Sequence, residues 1–362
     1  MESRRILVLL FILLVLGYVL LPRGRQQQAA VPRGTPLQVT VPLGLPPLPV
    51  PADNPPTIET VTLGRKLYYD PSLSLDNTVA CATCHDPSHG FTDNKQFSDG
   101  VQGKKGTRNS PSVLNAAYYS TQFWDGRAPS LEKQAEGPVQ NPLEMAHTLT
   151  GVEIRLEQDP NYRIAFERAF GPGPITYEKV EKAIASFERT VLSGNSPFDR
   201  YYFGHDPKAM SPAAIRGFKV FSSADKGNCT ACHKIEKDSA LFTDNSFHNI
   251  GIGVDLGQIT DQGRYAVTKQ DKDRGAFRTP SLRNVARTGP YMHDGSLKTL
   301  KEVVDYYIGA GNSNPYLDKE IHVLDFLSGQ ERSDLEAFLE ALTGDMPPDV
   351  GPPPKEDLSA RK

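Results

Sequence analysis

Cysteine is almost absent from this chain, with four residues in 362. That scarcity rules out a disulfide-stapled scaffold. Because no cysteine follows the N-terminal apolar run, a lipid anchor at that point is ruled out too. Charge of one sign is also lacking. With 40 basic and 43 acidic side chains the net charge is −3, so no polybasic face invites nucleic acid or anionic lipid. Strand-like alternation is scarce, tryptophan occurs once, and apolar residues make up 38% of a chain whose mean hydropathy is −0.43. The length suits two ordinary domains. Thirty prolines and thirty glycines imply many loops, so the apolar core is modest for that length. A large flat cofactor in each domain would supply the missing apolar area.

What cysteine there is falls twice into one pattern, Cys81-Ala82-Thr83-Cys84-His85 and Cys229-Thr230-Ala231-Cys232-His233. Two thiols one helical turn apart reach the two vinyl groups of one haem, and the next residue turns its imidazole to the iron. The competing readings are a zinc site built from all four thiolates, two redox dithiols, or a disulfide pair. The doubled histidine, with no cysteine elsewhere, favours two covalently bound haem c groups.

Residues 1–30 read as a signal peptide or an N-terminal membrane anchor. Arg4 and Arg5 precede an apolar run from Ile6 to Leu21, and Arg23 and Arg25 follow it. The run is slightly short for a membrane span and matches the apolar stretch of a signal. Gln28-Ala29-Ala30 is the nearest approach to a cleavage site. Either reading exports the body to the periplasm, where haem attachment also belongs; an uncleaved segment would hold it at the inner membrane. Residues 31–56 are rich in proline and read as a stiff, extended linker. Residues 345–362 read as a disordered tail.

The chain repeats itself. Pro111-Ser112-Val113-Leu114-Asn115 is followed by Trp124-Asp125-Gly126, and Pro280-Ser281-Leu282-Arg283-Asn284 by His293-Asp294-Gly295, with the same spacing. Each haem motif is also preceded by a short amphipathic stretch, Leu63 to Tyr68 and Arg216 to Phe221. The expectation is two related cytochrome c-like domains, 57–205 and 206–344, joined near 204–211 and arising by internal duplication. The expected class is all-α. Ser211-Pro212 is a helix start leading into Ile215, Phe218 and Phe221. Val180, Ile184, Phe187 and Val191 make a helical stripe. Ser333 and Glu336 suit a capping box before Leu335, Phe338, Leu339 and Leu342, with Gly344 as the stop.

With these two domains, the segments Phe123 to Arg127 (FWDGR), Asn141 to Met145 (NPLEM) and Pro290 to Gly295 (PYMHDG) resemble the bacterial di-haem cytochrome c peroxidase and MauG family over residues 57–344. The resemblance implies that the N-terminal haem is the peroxide site and the C-terminal haem an electron reservoir. It implies that Trp124 lies between the haems, and that Glu144 and Gln134 line the distal side of the peroxide haem. It further implies a calcium ion held by Asn109 and by the backbone carbonyls of Thr288 and Pro290. Heterolysis of a bound peroxide needs a group that takes a proton from one oxygen and returns it to the other, and a carboxyl in an apolar pocket can do both. On residue type alone, Glu144 would be a solvated surface charge and Trp124 a packing element; the motifs assign the roles.

Two departures choose the branch. Many di-haem peroxidases place a distal histidine just ahead of a loop like Gly103-Lys104-Lys105-Gly106, and here that place is Val101, which cannot ligate iron. His89 lies too close in sequence to His85 to reach the opposite haem face. An open N-terminal iron follows. At the second haem those peroxidases use an axial methionine, and the matching position is Tyr307, on the inward face with Leu300, Val303 and Val304 of a helix expected at Thr299 to Ile308. Met292 is the rival ligand. Tyrosine at this place is the MauG pattern. His248 and His293 are expected near the second haem as propionate partners, and His147, His205 and His322 as structural or surface residues.

The leading expectation is therefore an exported di-haem peroxidase that reacts with hydrogen peroxide and oxidises a partner protein. The alternatives are a cytochrome c peroxidase fed by a small cytochrome c or cupredoxin donor, and a non-catalytic di-haem electron-transfer cytochrome. A homodimer is compatible with either enzyme.

Overall fold

The computed structural model describes residues 30–354. The apolar run Ile6 to Leu21 and residues 355–362 lie outside the described residues. No helix among the described residues is long and apolar enough to cross a membrane.

Helices dominate. Those that build the domains are α1 (Ile58–Tyr68), α2 (Leu131–Gln140), α3 (Leu149–Gln158), α4 (Pro160–Phe170), α5 (Tyr177–Glu188), α6 (Pro197–Tyr202), α7 (Pro212–Ser222), α8 (Leu300–Ile308) and α9 (Gly329–Glu340). Among the described residues strand is confined to two antiparallel pairs of two residues each. β1 (Phe247–His248) pairs with β4 (Phe277–Arg278), and β2 (Val254–Asp255) with β3 (Gln258–Ile259).

Each domain is built around one close helix pair, α1 with α5 and α7 with α9. In both pairs a glycine sets the approach. A Cβ at Gly64 would overlap the carbonyl oxygen of Ala183, and one at Gly217 that of Asp334. The stripe Val180, Ile184, Phe187 and Val191 is fully buried in the first domain beside Tyr68 and Phe91. In the second, Phe221, Phe242, Phe338 and Leu342 form the core, with Leu335 and Leu339 on the same face of α9.

One helix start differs from the sequence reading. Helix α9 starts at Gly329, because Ser328 and Glu331 make the capping box and Ser333 is already inside the helix. Phe198 of α6 packs edge-on against Phe218, Phe242 and Phe338, and its N–H donates to Ala341 O (3.1 Å). Helix α6 therefore packs on the second core.

The linker and tail are also corrected. Residues 32–56 are extended, as their prolines dictate, but they are docked and not free. Arg33 N–H donates to Ala169 O, Tyr118 Oη donates to Pro46 O, and Gly44 O accepts from Arg283 Nη2 and Ala240 N. Asn54 is fully buried against Glu132, Ser186 and the Lys182 carbonyl. The tail to residue 354 returns to the first domain, where Val350 is buried and Tyr69 Oη and Arg65 Nε donate to Val350 O and Gly351 O.

The docked linker, residues 32–56, meets α6 at a buried ion pair. Arg283 donates twice to Asp199 (2.8 and 2.9 Å), both side chains having almost no exposure, and Arg283 Nε and Nη2 also hold Ala240 O and Gly44 O. Asp199→Ala leaves that guanidinium uncompensated and is expected to cost about 3–5 kcal/mol. A denaturant titration checks this; a midpoint equal to the parent's would show that the pair carries no stability.

Candidate functional site: two cavities with one wall

Each C-x-x-C-H motif opens on its own cavity. The first, of about 330 Å³, is lined by Cys81, Cys84, His85, Gln134, Glu144 and Ile184, among others. The second, of about 260 Å³, is lined by Cys229, Cys232, His233, Met292, Val304 and Tyr307, among others. The four thiols are free and divided between the two cavities, so a site needing all four thiolates cannot form. Burial pushes Cys81 and Cys229 up to about 12 and Cys84 up to about 11, keeping them as thiols.

The two histidines are prepared alike. His85 Nδ1 faces Phe91 O at 3.3 Å and His233 Nδ1 faces Phe242 O at 2.8 Å. A carbonyl only accepts, so Nδ1 carries the proton and Nε2 keeps its lone pair for a metal. Burial holds both imidazoles below their ordinary value, hence neutral. Two thiols, an oriented imidazole and an apolar cavity are what a covalently attached haem requires, and both motifs supply them.

The first cavity has a carboxyl opposite no second histidine. Glu144 sits after α2, and its Oε1 accepts from Asn141 Nδ2 at 2.6 Å. Burial raises its pKa, with Asn141 and the Arg127 charge offsetting part of the rise. Its apolar surroundings are Leu131, Ala135, Pro138, Val139 and the buried Met145, while Leu143 is exposed. Gln134 stands one turn from Pro138 on the cavity face of α2. Val101 is buried but does not line the cavity; its N–H donates to Glu144 O at 2.8 Å. His89 is exposed and does not line it either.

In the second cavity α8 presents Val303, Val304 and Tyr307, while Tyr306 points away and donates to Ile250 O. The Tyr307 hydroxyl makes no hydrogen bond among the described residues, and burial pushes its pKa above the ordinary value. Met292 lines the same cavity. His248 borders it, but both ring nitrogens already meet carboxylates, Asp318 at 2.6 Å and Asp244 at 2.9 Å, so neither is free for a propionate. His293 is buried there, stacked on Phe277 at 3.5 Å, with Nε2 unpartnered. His322, expected to be structural or at the surface, also lines the cavity.

The cavities share a wall made of Asn109, Ser110, Pro111, Ser112, Tyr119, Trp124 and Arg278. Trp124 Nε1 donates to Asn109 O at 2.8 Å. Asn109 N–H donates to His293 O (2.7 Å), and Arg278 N–H to Trp124 O (2.9 Å). The offset of 169 residues that relates Pro111 to Pro280 also relates Asn109 to Arg278 and Trp124 to His293. The two bonds are therefore one bond made twice, in opposite directions. Backbone conformations follow the same offset: Asn115 and Asn284 (φ 61° and 59°), Phe123 and Met292 (68° and 72°), Gly126 and Gly295 (67° and 61°).

Comparison with known proteins agrees with this arrangement. The family described as di-haem cytochrome c peroxidase matches residues 58–207, and the cytochrome c family matches 214–343. The methylamine utilization protein MauG of Methylophilus methylotrophus is 41% identical over 298 residues, covering 82% of this chain and 86% of that protein. The chain belongs to the di-haem cytochrome c peroxidase and MauG family. As a member it is a peroxidase-type oxidoreductase with two c-type haems. The cytochrome c551 peroxidase of Nitrosomonas europaea is 35% identical, covering 83% of this chain and 84% of that protein. The crystal structure of a MauG-like protein associated with microbial copper homeostasis superposes with a TM-score of 0.78 at 33% identity, covering 85% of this chain and 96% of that one.

For a member of this family, two cavity residues had no signal in the sequence. Glu188, at the end of α5, is fully buried on the wall of the first cavity, with Oε2 unpartnered and its carboxyl pushed up to about 8 by burial. Arg278 is the other. Each is a common charged residue whose neighbours come from elsewhere in the chain, and only the fold brings them to a cavity.

Proposed function

We propose that this protein is an exported MauG-like di-haem peroxidase, in which hydrogen peroxide reacts at the Cys81/Cys84/His85 site and the oxidising equivalents leave to a partner protein. Haem, when bound, supplies the iron and the electron chemistry. The chain supplies the rest. The observation that carries the reading is the difference between the cavities: a carboxyl of raised pKa, with Gln134 on the same lining and no second histidine, in one, and Tyr307 and Met292 in the other.

Glu144 is the acid/base in this reading. As carboxylate it takes a proton from one peroxide oxygen, and as carboxylic acid it returns the proton to the oxygen that departs. Asn141 keeps the carboxylate aimed, and Gln134 supplies an amide for orientation. Trp124 couples the two sites through the shared wall. Tyr307 is the second ligand at the His233 site, where a phenolate favours the oxidised metal and Met292 would favour the reduced one. For calcium, Asn109 Oδ1 and the carbonyls of Thr288 and Pro290 accept no hydrogen bond among the described residues, while Asn109 Nδ2 is spent on Lys95 O. That set of oxygens suits a hard cation. The 169-residue correspondence supports an origin of the two domains by internal duplication.

Sequence likeness to a named cytochrome c551 peroxidase favours a second reading, turnover with a small electron-donor protein. A donor assay separates the two: slow oxidation of reduced cytochrome c is expected, and fast turnover would argue for this second reading.

Glu144→Gln should slow the reaction with peroxide by about 10²-fold or more. In the parent the rate should rise with pH as the carboxyl, titrating above its usual range, releases its proton and becomes a base. Stopped-flow rates that keep that rise in the Gln variant would remove Glu144 from the role. Tyr307→Met should raise the midpoint potential of the second haem, and an unchanged potential in spectroelectrochemistry would mean that Tyr307 is not its ligand.

A further inference from the structure

Arg278 is a buried cation with no carboxylate beside it among the described residues. It is 3% exposed, and its Nε and Nη1 have no hydrogen-bond partner among those residues. A guanidinium stays protonated, so burial without an anion is strongly unfavourable. The other arginines on the cavity walls are already engaged. Arg108 binds Asp261 and Asp125, Arg127 binds Asp125, and Arg283 binds Asp199. Among the described residues, only Arg278 borders both cavities and lacks a carboxylate.

Its placement is fixed from two sides. The backbone N–H is tied to Trp124 O, and the guanidinium carbon lies over the Tyr119 ring, 3.4 Å from the centroid. Tyr119 is itself anchored, since its hydroxyl accepts from Ser281 N at 2.9 Å. With one face covered by the ring, the free donors are directed along the guanidinium plane, where a forked donor meets carboxylates best.

We propose that Arg278 is the shared anchor for propionate carboxylates of both haems, the one cation that each site uses to hold and neutralise its cofactor's acidic edge. This rests on both cavities holding haem. It goes further by assigning a single residue to both, so that the two sites are coupled by a common counter-charge as well as by Trp124. Removing that charge makes the less positive, reduced iron less favourable at both sites.

The test uses the haem-loaded protein. Arg278→Gln should keep two covalent haems per chain, counted by pyridine haemochrome and intact mass, because the thioether bonds do not involve it. Both midpoint potentials should fall, each reduction equilibrium shifting by about tenfold toward the oxidised form (about 59 mV for a one-electron couple). Arg278→Lys keeps the charge but loses the fork. Its potentials should stay within about threefold of the parent equilibrium, while the propionate-bending bands of both haems move in resonance Raman spectra. Potentials unchanged in Arg278→Gln, or a change confined to one haem, would overturn the shared anchor. If Arg278→Gln does not accumulate, unmoved propionate bands in Arg278→Lys overturn it equally. A parent protein carrying fewer than two haems would instead count against the two-haem reading beneath it.

Discussion

The arrangement depends on one hydrogen bond made twice. Asn109 N–H reaches across to His293 O, and Arg278 N–H reaches back to Trp124 O. Backbone bonds of this kind do not depend on side-chain rotamers, so they tie the two domains together main chain to main chain. They also decide what stands between the cavities, because three of the four residues that make them, Asn109, Trp124 and Arg278, belong to the shared wall. Trp124 is held there by its own indole bond to Asn109 O. The closeness of the two sites is thus a property of the main chain, and the side chains are free to make the sites differ.

They differ where chemistry requires it. The positions related by the repeat hold unlike residues, Asn109 against Arg278 and Trp124 against His293. Likewise α2 brings Gln134 to one cavity, and α8 brings Tyr307 to the other. The histidines beneath are prepared identically, each with Nδ1 on a main-chain carbonyl. What distinguishes the sites is therefore confined to the opposite side of each cavity and to the shared wall.

Much of this was legible in the sequence, for reasons that are local. The C-x-x-C-H motifs, the inward face of α8 and the stripe of α5 are patterns within a single turn or helix, where spacing dictates geometry. The repeat was legible because its landmarks lie at one offset. The misreadings of the linker and of the buried charges are long-range, and that of the α9 cap is local. Proline content shows that residues 32–56 are extended but not that Gly44 and Asn54 are received by residues far along the chain. Ser333 looked like a cap because Ser328, five residues earlier, offers the same chemistry. Glu188 and Arg278 are common charged residues until the fold buries them.

The return of the segment around Val350 has a consequence for how the first domain opens. Val350 fills part of that domain's core and its carbonyl holds Tyr69, although the two lie 281 residues apart in sequence. One side of the first domain, beside α1, is therefore closed by a stretch that follows the second domain. That stretch is a latch: its release would bare the first core from the side of α1 while the α7–α9 pair stays packed.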